Sequence, residues 1–256
     1  MTVSPPAITV NRTATKVGAV NRRPHAQLRL TADLAILTVR QGRLEVLTVR
    51  RGNKPFLGQP ALPGGFVRDD ESVDDAAARE LEEETGLKGL HLEQLAVFSE
   101  PDRDPRGRVV TVAYLAIAPD LPTPQPGSDA AAASWEPVDR MLTPGADLAF
   151  DHARILTTAV ERARSKLEYT TLAAAFCGET FTVADLRSVY ETLWGTPIDQ
   201  RNFSRKVLNT EGFITPTGQR ISSGVGRPAI LYRRGPATTL HPPMLRQSMP
   251  TSPDAD

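Results

Sequence analysis

The stretch Arg79–Leu87, RELEEETGL, packs four glutamates into five positions. Within one helix they repel, since like charges at i,i+4 weaken a helix by about 0.2–0.5 kcal/mol per pair. At about 100° per residue, Glu80, Glu83 and Glu84 share one face and Glu82 falls on the opposite side. Three converging carboxylates make a hard-oxygen site suited to Mg2+ or Mn2+, and such a cation would offset the repulsion. Glu82 reads as a solvated bystander. The LPGG that precedes the helix, residues 62–65, lets backbone approach closely because glycine carries no Cβ. Arg79 can pair with an acid from the intervening loop, and Glu71 is the candidate.

The elements that must hold this cluster are legible from periodicity. LRLTADLAILTVR and RLEVLTVRR flank QGR and read as a hairpin. KPFLGQPALPGG is loop, dense in Pro and Gly. A helix is expected over about 72–85. LEQLAVFSE and VVTVAYLAIA are two more strands, and AAASWEPVDRM reads as a strand, a bend and a short helix. The result is a mixed α/β domain over 27–148, preceded by a loose tail, 1–26. Residues 149–177 read as helices linking it to a second unit, 178–235. There Thr182 and Asp185 look like a capping box, Gly195 a helix end, and Asp199 the cap of a second helix. A hairpin follows, and two helices plus a hairpin outline a winged helix-turn-helix. The tail, 236–256, is expected to be disordered.

Composition narrows the function class. Hydrophobic residues are 40% and charged residues 23%, ordinary globular usage, so a core of normal size is expected. No window of about 18 apolar residues occurs, so no membrane span is expected. Cys177 is the single cysteine, excludes an intrachain disulfide, and reads as a small core residue in a reduced, cytoplasmic protein. The net charge is zero but divided. Residues 1–151 hold 17 Lys and Arg against 21 Asp and Glu, whereas residues 152–236 hold 12 against 7. An acidic first part is thus joined to a basic second part.

Gly65, Glu71 and the run Arg79-Glu80-Leu81-Glu82-Glu83-Glu84-Thr85-Gly86-Leu87 match the Nudix box at every defined position over 23 residues. The first domain therefore resembles a Nudix α/β/α sandwich. The resemblance implies Glu80, Glu83 and Glu84 as metal ligands, Glu83 and Glu84 as the catalytic pair if the domain is active, and Glu71–Arg79 as a structural ion pair. The family reaction it implies is hydrolysis of a nucleoside diphosphate linked to another moiety. Pro101, fifteen residues past Gly86, resembles the ADP-ribose branch. Nearby Arg103, Arg106 and Arg108 are candidates to hold phosphates by bidentate hydrogen bonds, against the alternative of a solvated turn. A fourth acidic group has only candidates, Glu100, Asp102 and Asp104.

In QRNFSRKVL, Phe203 and Val207 form an apolar back, while Arg201, Asn202, Arg205 and Lys206 form a polar front. Arg can read guanine, Asn adenine, and Lys meets phosphate. Arg220, Arg227, Arg233 and Arg234 on the hairpin can contact the DNA backbone. A Nudix domain followed by such a module resembles the Nudix-related transcriptional regulators, the NrtR family, over about residues 27–235. That resemblance implies a homodimeric repressor of NAD-metabolism genes whose Nudix domain senses ADP-ribose or a related NAD metabolite, which releases operator DNA. The unbroken box keeps an ADP-ribose pyrophosphatase, or a bifunctional regulator-hydrolase, as the alternative.

Overall fold

The computed structural model describes residues 27–124, 130–222 and 228–246. The expected tail 1–26, Arg227 and residues 247–256 lie outside the described residues. The hairpin read around QGR is present as β1 (Arg29–Arg40) and β2 (Arg43–Arg51). Its turn residues Gln41 and Gly42 both have positive φ, 49° and 71°, the pairing that matches strand twist in a two-residue loop. There follow β3 (Pro60–Ala61), β4 (Gly64–Phe66), α1 (Val73–Thr85), β5 (Glu93–Phe98), β6 (Val109–Ile117), β7 (Ala130–Pro137), α2 (Val138–Met141) and α3 (His152–Tyr169).

The strands form one sheet in the order β3-β2-β1-β6-β5, with β4 added on β1 and β7 on β2. Strand β1 lies centrally, antiparallel to β2 and β4 and parallel to β6. Successive side chains of a strand point to opposite faces, and both faces of β1 are covered. Ala32, Leu34 and Ile36 pack with Ala76, Ala77 and Leu81 of α1. Ala35 and Leu37 pack with Ile155, Leu156, Ala159 and Val160 of α3. A helix on each face of the sheet is the expected α/β/α sandwich. Asp33 interrupts the apolar run on the α3 side and is buried.

Local chemistry sets the ends of α1. Ser72 caps it and exchanges hydrogen bonds with Asp75, and Gly86 closes it in the left-handed region at φ 72°. A side chain there would cost strain that glycine avoids.

Helix α3 corrects one expectation. The sequence makes residues 149–177 a link, yet the apolar face of α3 is one of the two helical layers of the first domain. Only Leu167, near its end, joins the core of the second. The helix stops at Tyr169 because Thr170 is extended, and a 3-10 segment, Thr171–Phe176, follows.

The second domain contains α4 (Val183–Trp194), α5 (Gln200–Asn209), β8 (Ile214–Ile221) and β9 (Ala229–Arg234). The Thr182–Asp185 box, the Gly195 end and the Asp199 cap are all present. Tyr190 is fully buried, its ring 4.8 Å from Trp194 and 5.3 Å from Phe203 in edge-to-face contacts. Its hydroxyl donates to the Leu167 carbonyl at 3.1 Å. Cys177 packs half-buried beside this core, and burial pushes its thiol up to about 12, which fits an inert thiol.

The expectation of disorder from residue 236 is also corrected, for residues 236–246. Leu240 and Met244 are buried in the winged-helix core. The N–H of Leu240 donates to the Tyr169 carbonyl at 2.9 Å and that of Met244 to the Glu168 carbonyl at 2.8 Å. Arg246 adds an ion pair to Glu161 at 2.9 Å. The Pro-rich, polar text hid two apolar anchors that need only a short strap to reach a ready-made core.

Candidate ligand cleft and nucleic-acid interface

A cleft of about 350 Å3 opens where β1, β4, the end of β2, α1 and the start of α3 meet. Its acidic wall comes from the Nudix helix. Arg79 is pinned by Glu71 through two bonds, Nε to Oε2 at 2.9 Å and Nη2 to Oε1 at 2.7 Å, so the expected ion pair is formed. Those bonds hold the Glu71 carboxyl down at about 2. The same guanidinium reaches Glu80 at 2.5 Å and Glu83 at 2.9 Å. Glu80 lies so close to Gly65 that a Cβ there would meet its Oε1 at 2.1 Å. Glycine at 65 is what lets the Glu80 carboxylate lie against this backbone.

Glu84 lines the cleft beside Glu80. Its Oε2 accepts the Gly64 N–H at 2.9 Å. Burial dominates over that bond and pushes its carboxyl up to about 8. Burial likewise raises Glu80, against the pull of Arg79. Such carboxylates hold charge in a dry site only with a cation beside them. The donor set, hard oxygens against a glycine cradle, fits a divalent cation such as Mg2+. The three glutamates nevertheless do not converge as the helical wheel predicts. Glu80 and Glu84 line the cleft, whereas Glu83 turns outward to Arg79 and Arg68. Among the described residues, no three acidic, histidine or cysteine side chains stand close enough to hold a metal as placed. Two arginines within reach explain the splay, because they neutralise Glu83 where it stands. Glu82 is exposed and pairs with Lys88.

The basic wall is built from aromatic rings and guanidinium groups. Arg106 lies 4.8 Å from the Phe66 ring and 5.1 Å from the Phe150 ring, and Arg51 lies 4.6 Å from Phe150. Asp104 holds Arg106 with a fork, Nε to Oδ1 at 3.0 Å and Nη2 to Oδ2 at 2.7 Å. Burial first, and the Arg106 charge second, lower the Arg51 pKa, so two cations crowd one ring. An anion entering here relieves that crowding.

Arg103 sits lower and is nearly inaccessible, its side chain 3% exposed. It bridges Asp33 at 3.2 Å and Asp151 at 2.6 Å and 3.0 Å. His152 completes the floor. Its Nδ1 accepts the Leu62 N–H at 2.9 Å, which leaves the proton on Nε2, 3.9 Å from Asp33 Oδ2. Burial lowers its pKa, so the ring is neutral. Phe150, just before, has φ 57°, a left-handed backbone that costs a non-glycine residue about 1–3 kcal/mol.

Of the three predicted arginines, the fold brings Arg103 and Arg106 to the cleft. Arg108 does not line it; it donates to the Ser99 carbonyl at 2.6 Å. None of the three candidate fourth acids is free in the cleft. Glu100 pairs with Arg154, Asp102 is exposed, and Asp104 is locked to Arg106. Sequence reading missed Asp33, Arg51, Phe66, Phe150, Asp151 and His152. Only Asp33 carried a signal, as a lone charge inside an apolar strand.

The second candidate surface is the exposed side of α5. Phe203 and Val207 are buried, and Arg201, Asn202, Arg205 and Lys206 are exposed, as the periodicity requires. Arg205 Nη2 donates to Asn202 Oδ1 at 3.1 Å, so the two present one polar edge. Arg220 on β8 and Arg233 and Arg234 on β9 are exposed on the wing. Leu208 is also exposed beside them.

The NUDIX domain family matches residues 28–158, and the NrtR DNA-binding winged helix domain matches residues 173–234. The chain belongs to the NrtR family. It is 36% identical over 206 residues to the ADPR responsive transcriptional repressor NtrR of Acinetobacter baylyi, covering 80% of this chain and 81% of that protein. The crystal structure of Shewanella oneidensis NrtR complexed with a 27mer DNA is similar at TM-score 0.63 and 34% identity, covering 81% of this chain and 94% of that one. The NUDIX domain of the same NrtR, complexed with ADP ribose, is similar at TM-score 0.50 and 37% identity, covering 56% and 94%.

Proposed function

We propose that this protein is a DNA-binding transcriptional repressor whose Nudix cleft senses ADP-ribose, and that ADP-ribose releases it from operator DNA. The observation that carries the reading is α3. This helix of 18 residues begins at the cleft floor, at His152, and ends with Leu167 in the winged-helix core. At 1.5 Å per residue it spans about 27 Å as one rod. Ligand bound at one end thus has a rigid element through which to bias the other.

Chemistry at the cleft suits a nucleoside diphosphate. Arg51 and Arg106 attract the diphosphate, and the faces of Phe66 and Phe150 offer stacking surfaces. Glu80 and Glu84, which line the cleft, would hold Mg2+ or Mn2+, with Glu83 joining them by turning from Arg68 and Arg79; the ion neutralises diphosphate charge and activates water when bound. Arg79, held by Glu71, orients the Glu80 carboxylate. On α5, Arg201, Asn202 and Arg205 would read base edges, with Lys206 and Arg220 on phosphates. A homodimer would match a two-fold operator. The target genes would be those of NAD metabolism, and the protein would act in the cytoplasm.

The test is a gel shift on NAD-biosynthesis promoter DNA, with and without ADP-ribose. A shift that ADP-ribose reverses is expected, and absence of any shift at moderate salt overturns the reading. A second reading, hydrolysis of ADP-ribose, is favoured by the unbroken box. It predicts AMP release with Mg2+ or Mn2+ that Glu84→Gln abolishes, and equal background in both proteins rules it out.

A further inference from the structure

Asp151 is the residue before the first turn of α3, where an aspartate ordinarily accepts a backbone N–H of its own helix. Here it makes no such cap. Both carboxylate oxygens are instead taken by Arg103, Oδ1 at 2.6 Å and Oδ2 at 3.0 Å. Thr182 and Asp199, at the starts of α4 and α5, do cap their helices, so Asp151 departs from the chain's own practice. The preceding residue, Phe150, holds a left-handed φ of 57°, and its ring lies over Arg51 and Arg106. Arg103 itself lines the cleft. The segment thus carries two local costs, an uncapped helix and a strained residue, and a buried ion pair holds it in place.

We infer that Asp151 is a positioning residue that exchanges between Arg103 and the N-terminus of α3, and that an anionic ligand drives the exchange by taking Arg103. This deepens the sensing reading above and rests on it. Without ligand, Arg103 draws Asp151 and the start of α3 toward Asp33 on β1. A diphosphate competes for the Arg103 guanidinium, and the released carboxylate caps the first turn of α3. Phe150 is free to leave its strained backbone as the segment shifts. The two arrangements are discrete because a carboxylate cannot make the fork to Arg103 and the cap at once. Since α3 ends inside the winged-helix core, its start and the DNA-reading domain move as coupled parts.

The test compares Asp151→Asn with Asp151→Ala in the full chain. Asparagine caps a helix well but pairs poorly with arginine, so it favours the released arrangement; alanine does neither. Asp151→Asn is expected to bind ADP-ribose about 5-fold or more tightly by calorimetry, because the competitor for Arg103 is gone and the amide also caps the released start of α3. By reciprocity it is also expected to hold operator DNA more weakly without ligand, with a response to ADP-ribose reduced below about 3-fold. Asp151→Ala is expected to show less of both effects. A pair that is merely structural makes the two variants alike, with ADP-ribose binding weakened in both, and that result overturns the exchange. Wild-type protein that keeps its DNA at saturating ADP-ribose overturns the sensing reading itself, whatever the variants do.

Discussion

The cleft and the recognition helix both depend on arginine, yet they use it in opposite ways. Arg103 is buried and bonded to two carboxylates, whereas Arg201 and Arg205 stand in solvent. A buried charge must be paired within the fold, so its position is part of the fold's stability. An exposed charge is solvated until a partner arrives, so its worth shows only in binding. The first domain is therefore preorganised around its ligand groups, and the second is a stable core that displays its contacts.

Making one substitution in both places is the sharpest way to break this contrast. Arg103→Met leaves Asp33 and Asp151 without their cation and is expected to cost about 3–5 kcal/mol of stability in thermal or urea unfolding. Arg201→Met is expected to change stability by less than about 0.5 kcal/mol. If the two melt alike, the contrast is wrong. Phe203→Ala, which empties the winged-helix core beside Tyr190, is expected to cost about 3–5 kcal/mol. Loss of DNA binding should follow while calorimetry still detects ADP-ribose; joint loss would show that the domains fold as one unit.

Smaller effects refine the comparison. Arg205→Ala is expected to weaken operator binding by about 1–3 kcal/mol and leave the ADP-ribose Kd unchanged. Acid stability separates the domains as well. The folded Glu71 titrates at about 2, below its ordinary 4.5, so its contribution is complete above about 4.5 and is lost as pH falls toward 2. Glu71→Gln should flatten the pH dependence of the first domain's melting in that window, and an unchanged profile would remove the Glu71–Arg79 pair as its source. Glu82→Gln should change neither binding nor stability by more than about 0.5 kcal/mol, and a larger effect would end its reading as a bystander.

The parts legible in the sequence were local. The QGR hairpin, the box helix and the two caps at Thr182 and Asp199 depend on residues a few positions apart. The Glu71–Arg79 pair spans eight residues and was readable for the same reason, together with the matched box. Helical spacing also placed Phe203 and Val207 inward. It failed for Glu83, because a helical wheel shows which side chains share a face and not which arginines will reach them.

The pair of domains, the box and the acidic-to-basic division of charge are written in the chain, all carried by short periodicities and spacings. The cleft floor exists only once the chain has folded. Asp33, Arg103, Asp151 and His152 come from a strand, a loop and a helix start up to 119 positions apart, and they meet because α3 packs across β1. The same packing turned an apparent linker into a structural layer, and a free core surface turned part of an apparent tail into a strap. Long-range proximity is set by which apolar faces cover one another, and no local spacing records it.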